Sequence, residues 1–146
     1  MNRRDALQTL GGGMAVALLP LTSFTAEPDV AASMRDLFGE RPLHNGRVSL
    51  KLPKLAESGN SVPLTMSVKV PNRGLTVRRA CIFANRNPRP LIATVMFGPG
   101  SGSATLTTNI RLNGTQDVIA VAELSDSSLW RTQARVLVTI GACDAL

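Results

Sequence analysis

Few side chains in this sequence can form and break covalent bonds: two cysteines, Cys81 and Cys143, and one histidine, His44. Cys143 stands in "VTIGACDAL", where a strand-like run stops at Gly141 and leaves a thiol among small residues. Three extended residues beyond Ile140 reach roughly 10 Å, enough for such a thiol to enter another protein's cleft. Cys81 stands in "TVRRACIFA", where alternation sets Val77, Arg79, Cys81 and Phe83 on one face and Thr76, Arg78, Ala80 and Ile82 on the other. Either face could be the buried one. Two roles are open to Cys81: a buried, inert thiol, or a disulfide with Cys143 that ties down the last strand in oxidising surroundings.

The remaining polar groups offer less chemistry. His44 lies in a polar linker with no cysteine or acid at ligand spacing, so no metal site is expected there. With this single, unsupported histidine no Ser-His-Asp set can be assembled. Glu123 and Asp126 flank a strand end without a nucleophile beside them and read as a solvated rim. "GPGSGS" lacks the Lys, the hydroxyl residue and the helix that a phosphate loop needs, and reads as a hairpin connection. "NGT" at Asn113 to Thr115 fits a glycosylation sequon but reads as a turn. No cofactor and no self-sufficient enzyme are expected from this set.

The elements that must carry these residues follow from pattern. A chain of 146 residues is sized for one domain. Only 3% of it is aromatic, so its core must come from Val, Leu, Ile and Ala. Residues 1–26, "MNRRDALQTLGGGMAVALLPLTSFTA", pair two arginines with an apolar run too short to span a bilayer. They read as a twin-arginine signal peptide, cleaved after Ala26 or as late as Ala32, which predicts a periplasmic protein. No other stretch is apolar enough to be a membrane anchor. Residues 27–46 hold a short helix and a linker: Val30, Met34, Leu37 and Phe38 have helical spacing, Asp29 can cap the start and Gly39 can end it.

Over 47–140 the period becomes two. Seven strand candidates, "VSLKL", "VPLTMSVKV", "LTVRRACIFA", "LIATVMF", "SATLTTNIRL", "DVIAVAEL" and "SLWRTQARVLVTI", alternate with turn-rich segments such as "ESGNS" and "NRNPRP". This pattern predicts an immunoglobulin-like antiparallel β-sandwich with a short N-terminal helix. Residues 141–146 form a cysteine-bearing arm. The formal charge of +6 falls to +5 without Arg3, Arg4 and Asp5. Its basic residues are scattered and lack stacking aromatics, which argues against nucleic acid. Exposed edge strands would be helped by a second sandwich, with Val121, Leu124 and Trp130 as candidate contacts.

From Leu52 to the end, "IFANRNPRPLIATVMFGPGSGSATLTTNIRL", "VIAVAELSDSSLW" and "VTIGACDAL" occur in the order found in SoxY, the carrier protein family of thiosulfate oxidation, which this chain resembles. The resemblance implies a carrier rather than an enzyme: a sandwich paired with a SoxZ-like subunit, exported as a folded heterodimer, with a sulfur intermediate held covalently on Cys143. It further implies visits to a SoxXA-like haem enzyme, a SoxB-like hydrolase and a SoxCD-like sulfane dehydrogenase. Where the family carries Gly-Gly-Cys-Gly-Gly, this chain has Gly141, Ala142, Cys143, Asp144, Ala145 and Leu146. The arm is therefore stiffer and more acidic, and Gly141, Ala142 and Asp144 become candidate recognition positions. A carboxylate about 6 Å from the sulfur in water makes the thiolate costlier by roughly 0.7 kcal/mol. Cys81 has no counterpart in the family's one-cysteine pattern.

Overall fold

The structure is a computed structural model that describes residues 30–71, 73–101 and 103–141. The leader, the Asp29 cap and the arm residues Ala142, Cys143 and Asp144 lie outside the described residues. Helix α1 (Val30–Phe38) is followed by β1 (Leu43–Asn45), β2 (Val48–Lys51), β3 (Leu55–Ser58), β4 (Val62–Val68), β5 (Val77–Ala84), β6 (Leu91–Met96), β7 (Thr105–Ile110), β8 (Gln116–Leu124) and β9 (Leu129–Ile140). One sheet runs β1-β9-β8-β5-β6, with β3 also paired to β9, and faces a smaller sheet, β2-β4-β7. The ladders are antiparallel except that β1 and β3 run parallel to β9. Among the described residues no helix is long and apolar enough to cross a membrane.

The sandwich expected from the period of two is present, and all seven strand candidates are strands. Two further strands interrupt the expected loops. β1 occupies the end of the segment read as a linker, and β3 runs into "ESGNS", read as a turn. Both are short and polar, and they form because β9 offers them an edge rather than because their residues favour extension.

Between the sheets the core is aliphatic. Val62, Leu64 and Met66 of β4 meet Ala80 and Ile82 of β5 and Val118, Ala120 and Ala122 of β8. A second core lies on the outer face of the larger sheet, where Met34 and Phe38 of α1 cover Cys81, Phe83, Val121 and Leu129. This second layer explains why β5 and β8 are buried on both faces and why "DVIAVAEL" barely alternates. Val121 is covered by this layer and Leu124 by the core between the sheets, which overturns the reading of both as partner contacts, since both are fully buried. Trp130 is half-buried under the Arg47 guanidinium, 3.9 Å from the ring centroid. A register shift between Val77 and Arg79 places Val77 in the inter-sheet core, whereas strict alternation put it on the same face as Arg79 and Cys81.

A helix of nine residues is marginal alone and needs tertiary anchors. Apolar burial supplies one, and a buried ion network supplies the other. Glu123, 3% exposed, receives Arg41 Nη2 at 2.5 Å and Arg79 Nη2 at 3.3 Å. The same two arginines donate to the last helix carbonyls, Arg79 to Leu37 at 2.7 Å and Arg41 to Phe38 at 2.8 Å. Glu123 is thus the pin that fastens α1 to the sheet, not the solvated rim its position suggested. Gly39 closes the helix at φ +68°, its N–H donating to the Arg35 carbonyl at 2.8 Å.

Burial by itself would raise the Glu123 carboxyl, but the hydrogen bond from Arg41 and the charge of Arg79 outweigh it and hold the group below the ordinary carboxylate range. A depressed folded value contributes stability that is complete above the unfolded value and is lost as pH falls through the folded one. Glu123→Gln is therefore expected to cost about 3 kcal/mol in denaturant unfolding at pH 7, a deficit that shrinks below about pH 4 as the native carboxylate is protonated. An equal deficit at pH 7 and pH 3 would contradict this role.

Candidate functional site at the end of β9

The last strand outruns its neighbour. β8 accompanies β9 as far as Val136, opposite Gln116, and β3 takes over on residues 137–140. Leu137 N–H donates to the Lys54 carbonyl at 2.9 Å, and Gly59 N–H donates to the Ile140 carbonyl at 2.7 Å. On the opposite flank one side chain replaces the missing ladder: Val138 N–H donates to Thr115 Oγ1 at 2.9 Å, and that hydroxyl donates to the Val138 carbonyl at 3.3 Å. β9 is consequently held on both flanks close to its final residue, and Gly141 is buried. Cys143 follows Ile140 by three residues, about 10 Å of chain.

Two loops close this end of the sandwich beside the arm's root. The "NRNPRP" loop before β6 is clipped to the loop between β7 and β8 by Asn87 and the buried Gln116. Gln116 Nε2 donates to Asn87 Oδ1 at 2.9 Å, and Arg86 N–H donates to Gln116 Oε1 at 2.8 Å. Asn87 Nδ2 in turn donates to the Arg111 carbonyl at 2.8 Å, and Asn113 N–H donates to Asn87 Oδ1 at 2.9 Å. The charged residues of these loops and of the 58–61 turn are Arg86, Arg89 and Arg111, with no acid among them. Arg89 and Arg111 also line an open cavity of about 620 Å³ with Asn113, Leu91 and Ile110.

Cys81 has a different setting. It is fully buried beneath α1, its Sγ 3.6 Å from Thr94 Oγ1. Burial pushes its thiol up, against weaker pulls from the Thr94 hydrogen bond and the Arg79 charge. In register Cys81 is level with Val121, and Val121 with Arg131. Nine residues of β9 separate that row from Ile140, about 30 Å at the usual rise of a strand. A disulfide needs Cα atoms within about 7 Å, and three residues beyond Ile140 cannot cover the difference. The Cys81–Cys143 staple is out of reach while the sheet is intact.

The other candidates lie elsewhere. His44 pairs with Trp130 in the β1–β9 ladder at the opposite end, its ring 5.1 Å from the indole. Among the described residues no group of three or more His, Cys, Asp or Glu is arranged to hold a metal. Asp126 caps its own turn, accepting from Ser128 Oγ at 2.6 Å and Ser128 N–H at 3.0 Å; these bonds hold its carboxyl below the usual range. The "GPGSGS" segment connects β6 to β7, also at the end remote from the arm. Asn113 and Gly114 lie in a bend between β7 and β8, with Gly114 at φ +109°, as a turn reading requires. Sequence reasoning passed over the arginine collar, because its members are spread over 26 positions and only the topology gathers them.

Comparison with known families matches residues 34–143 to the family described as sulfur oxidation protein SoxY. Among solved structures, the sulfur carrier protein SoxY from Chlorobium limicola f thiosulfatophilum is similar with a TM-score of 0.63 and 22% identity, over 73% of this chain and 88% of that one. A superoxide reductase (neelaredoxin) from Ignicoccus hospitalis has a TM-score of 0.56 and 18% identity, over 64% and 80%. A putative superoxide reductase from Thermotoga maritima has a TM-score of 0.54 and 17% identity, over 65% and 86%. These structural likenesses establish the fold alone. No curated protein matches the chain.

The burial of Cys81 is measurable. Iodoacetamide added to the native, reduced protein is expected to modify Cys143 within minutes and Cys81 only after denaturation. Equal labelling of both in the native state would contradict the burial of Cys81.

Proposed function

The chain belongs to the SoxY family of sulfur oxidation proteins, and on that premise we propose that it is a periplasmic sulfur carrier that holds oxidation intermediates covalently on Cys143. The observation that supports this most is the root of the arm: a strand held to Ile140, followed by a short tether whose thiol cannot be consumed by Cys81. A firmly held root gives the thiol a small search volume and a high effective concentration at any enzyme that docks there.

In the reaction the family implies, the Cys143 thiolate and the sulfane sulfur of thiosulfate lose two electrons to a SoxXA-like haem enzyme and join as a thiosulfonate. Water then releases sulfate and two protons at a SoxB-like hydrolase and leaves a persulfide on Cys143. A SoxCD-like dehydrogenase oxidises that outer sulfur further. No group of this chain needs to perform these steps, since the carrier supplies the sulfur atom and its mobility. The tether also sets a steric condition: each enzyme must bring its centre to within about 10 Å of Ile140. A narrow tunnel made for glycines would reject Ala142, Asp144 and Leu146, so this chain suits partners with wider, basic-lined entrances.

A SoxZ-like subunit completes the proposal. Leu55 and Leu137, partners in the β3–β9 ladder, are 62% and 50% exposed, a pair of side chains that a second sandwich would remove from water. Export by the twin-arginine route would carry such a folded pair across together.

Replacing the thiol tests the reading. Cys143→Ser in the native host is expected to abolish growth-linked oxidation of the reduced sulfur compound while the thermal midpoint of the purified protein stays unchanged. Undiminished oxidation in that strain would refute a carrier role for Cys143.

A further inference from the structure

We propose that the open side of the sandwich, where β6 and β7 are the free edges of the two sheets, receives an extended, acid-tipped strand from a partner protein. This surface lies at the opposite edge of the larger sheet from Leu55 and Leu137, and it does not depend on the role of Cys143.

The edge is open where its counterparts are guarded. β6 pairs with β5 and β7 with β4, so roughly half of their backbone N–H and C=O groups point outward, with no strand to receive them among the described residues. Exposed edges usually carry charge, which discourages pairing with another chain. β2, at the far edge of the smaller sheet, carries Lys51, and β3, at the far edge of the larger, carries Glu57. From Pro90 to Ile110, a stretch that contains both β6 and β7, the sequence has no charged residue. β6 bulges at Ile92 and then pairs regularly with β5 from Ala93 to Met96, and Met96 is 68% exposed.

The two ends of the edge define the occupant. Where β6 starts and β7 ends lies the open cavity of about 620 Å³, lined by Arg89 and Arg111 above Leu91 and Ile110. Asn87 fixes both arginine-bearing loops, because it is close to Arg89 in sequence and its amide donates to the Arg111 carbonyl at 2.8 Å. Both arginines are exposed, and neither has a carboxylate partner among the described residues. Two guanidinium groups without an internal acid fit a carboxylate that arrives from outside. Where β6 ends and β7 starts, a cavity of about 300 Å³ opens between the sheets, lined by Val70, Leu75, Phe97 and Ala104 and by no charged residue. It has room for one large apolar side chain. The edge from Leu91 to Phe97 is about 20 Å long at the usual rise of a strand. A segment of that length, with an apolar side chain at one end and an acid at the other, satisfies both cavities while its backbone completes the β6 ladder. Antiparallel pairing with β6 puts the apolar side chain first and the acid last.

The test uses the full native protein, isotopically labelled for amide exchange, and a fluorescent probe peptide that opens with phenylalanine, alternates valine with threonine, and closes with two aspartates. Saturable binding is expected, with slowed exchange of amides within Leu91–Met96 and no change in β2. Arg89→Gln and Arg111→Gln should each weaken binding about threefold. Ala104→Leu, which fills the apolar cavity, should weaken it about tenfold. Lys51→Gln, on β2, is the control for net charge and should leave the affinity unchanged. A probe that closes with two lysines should bind more weakly than the aspartate probe. Unchanged exchange in β6 at millimolar peptide would overturn the proposal, as would equal weakening by Lys51→Gln and Arg89→Gln. Protection of the same amides by self-association of the protein alone would also overturn it, and would assign the edge to a second copy of this chain.

Discussion

Everything at the working end of this molecule depends on β9 being hydrogen-bonded close to its last residue. Strands commonly fray where their neighbours stop, and β8 stops at Gln116, four residues before β9 does. β3 on one flank and the Thr115 hydroxyl on the other take over there. β9 is therefore held through its last residue. A frayed strand would lengthen any tether that follows it and dilute the effective concentration of a group carried on it.

Solvation decides the fate of Cys81. Cys81 is covered by α1, so desolvation keeps it protonated and inert. The cover over Cys81 persists because Glu123 binds the arginines that cap the helix. A buried acid on the neighbouring strand thereby keeps this thiol covered by the helix.

Much of this could be read before the fold was known, and the reasons for the rest are physical. The sandwich and the helix with its glycine stop followed from periodicity and turn chemistry, which are local. β1 and β3 were not legible, because Leu43–Asn45 and Leu55–Ser58 become strands only when β9 presents an edge. Glu123 was misread for the same reason: its partners Arg41 and Arg79 are 82 and 44 residues away. The burial of Val121 depended on a second layer over the sheet, which the alternation of one strand cannot announce, and Leu124 turned into the core between the sheets. The arginine collar was invisible as a unit, although each of its members was in plain view.

The most direct test of the account is the intact mass of the mature protein, purified without reductant from its native host grown on a reduced sulfur compound, with fragmentation of the C-terminal peptide. The account predicts a sulfur or thiosulfonate adduct on Cys143 that reductant removes, with Cys81 unmodified. A mass short by two hydrogens, with Cys81 and Cys143 recovered as one linked peptide pair, would contradict it and would mean that the tail is a staple.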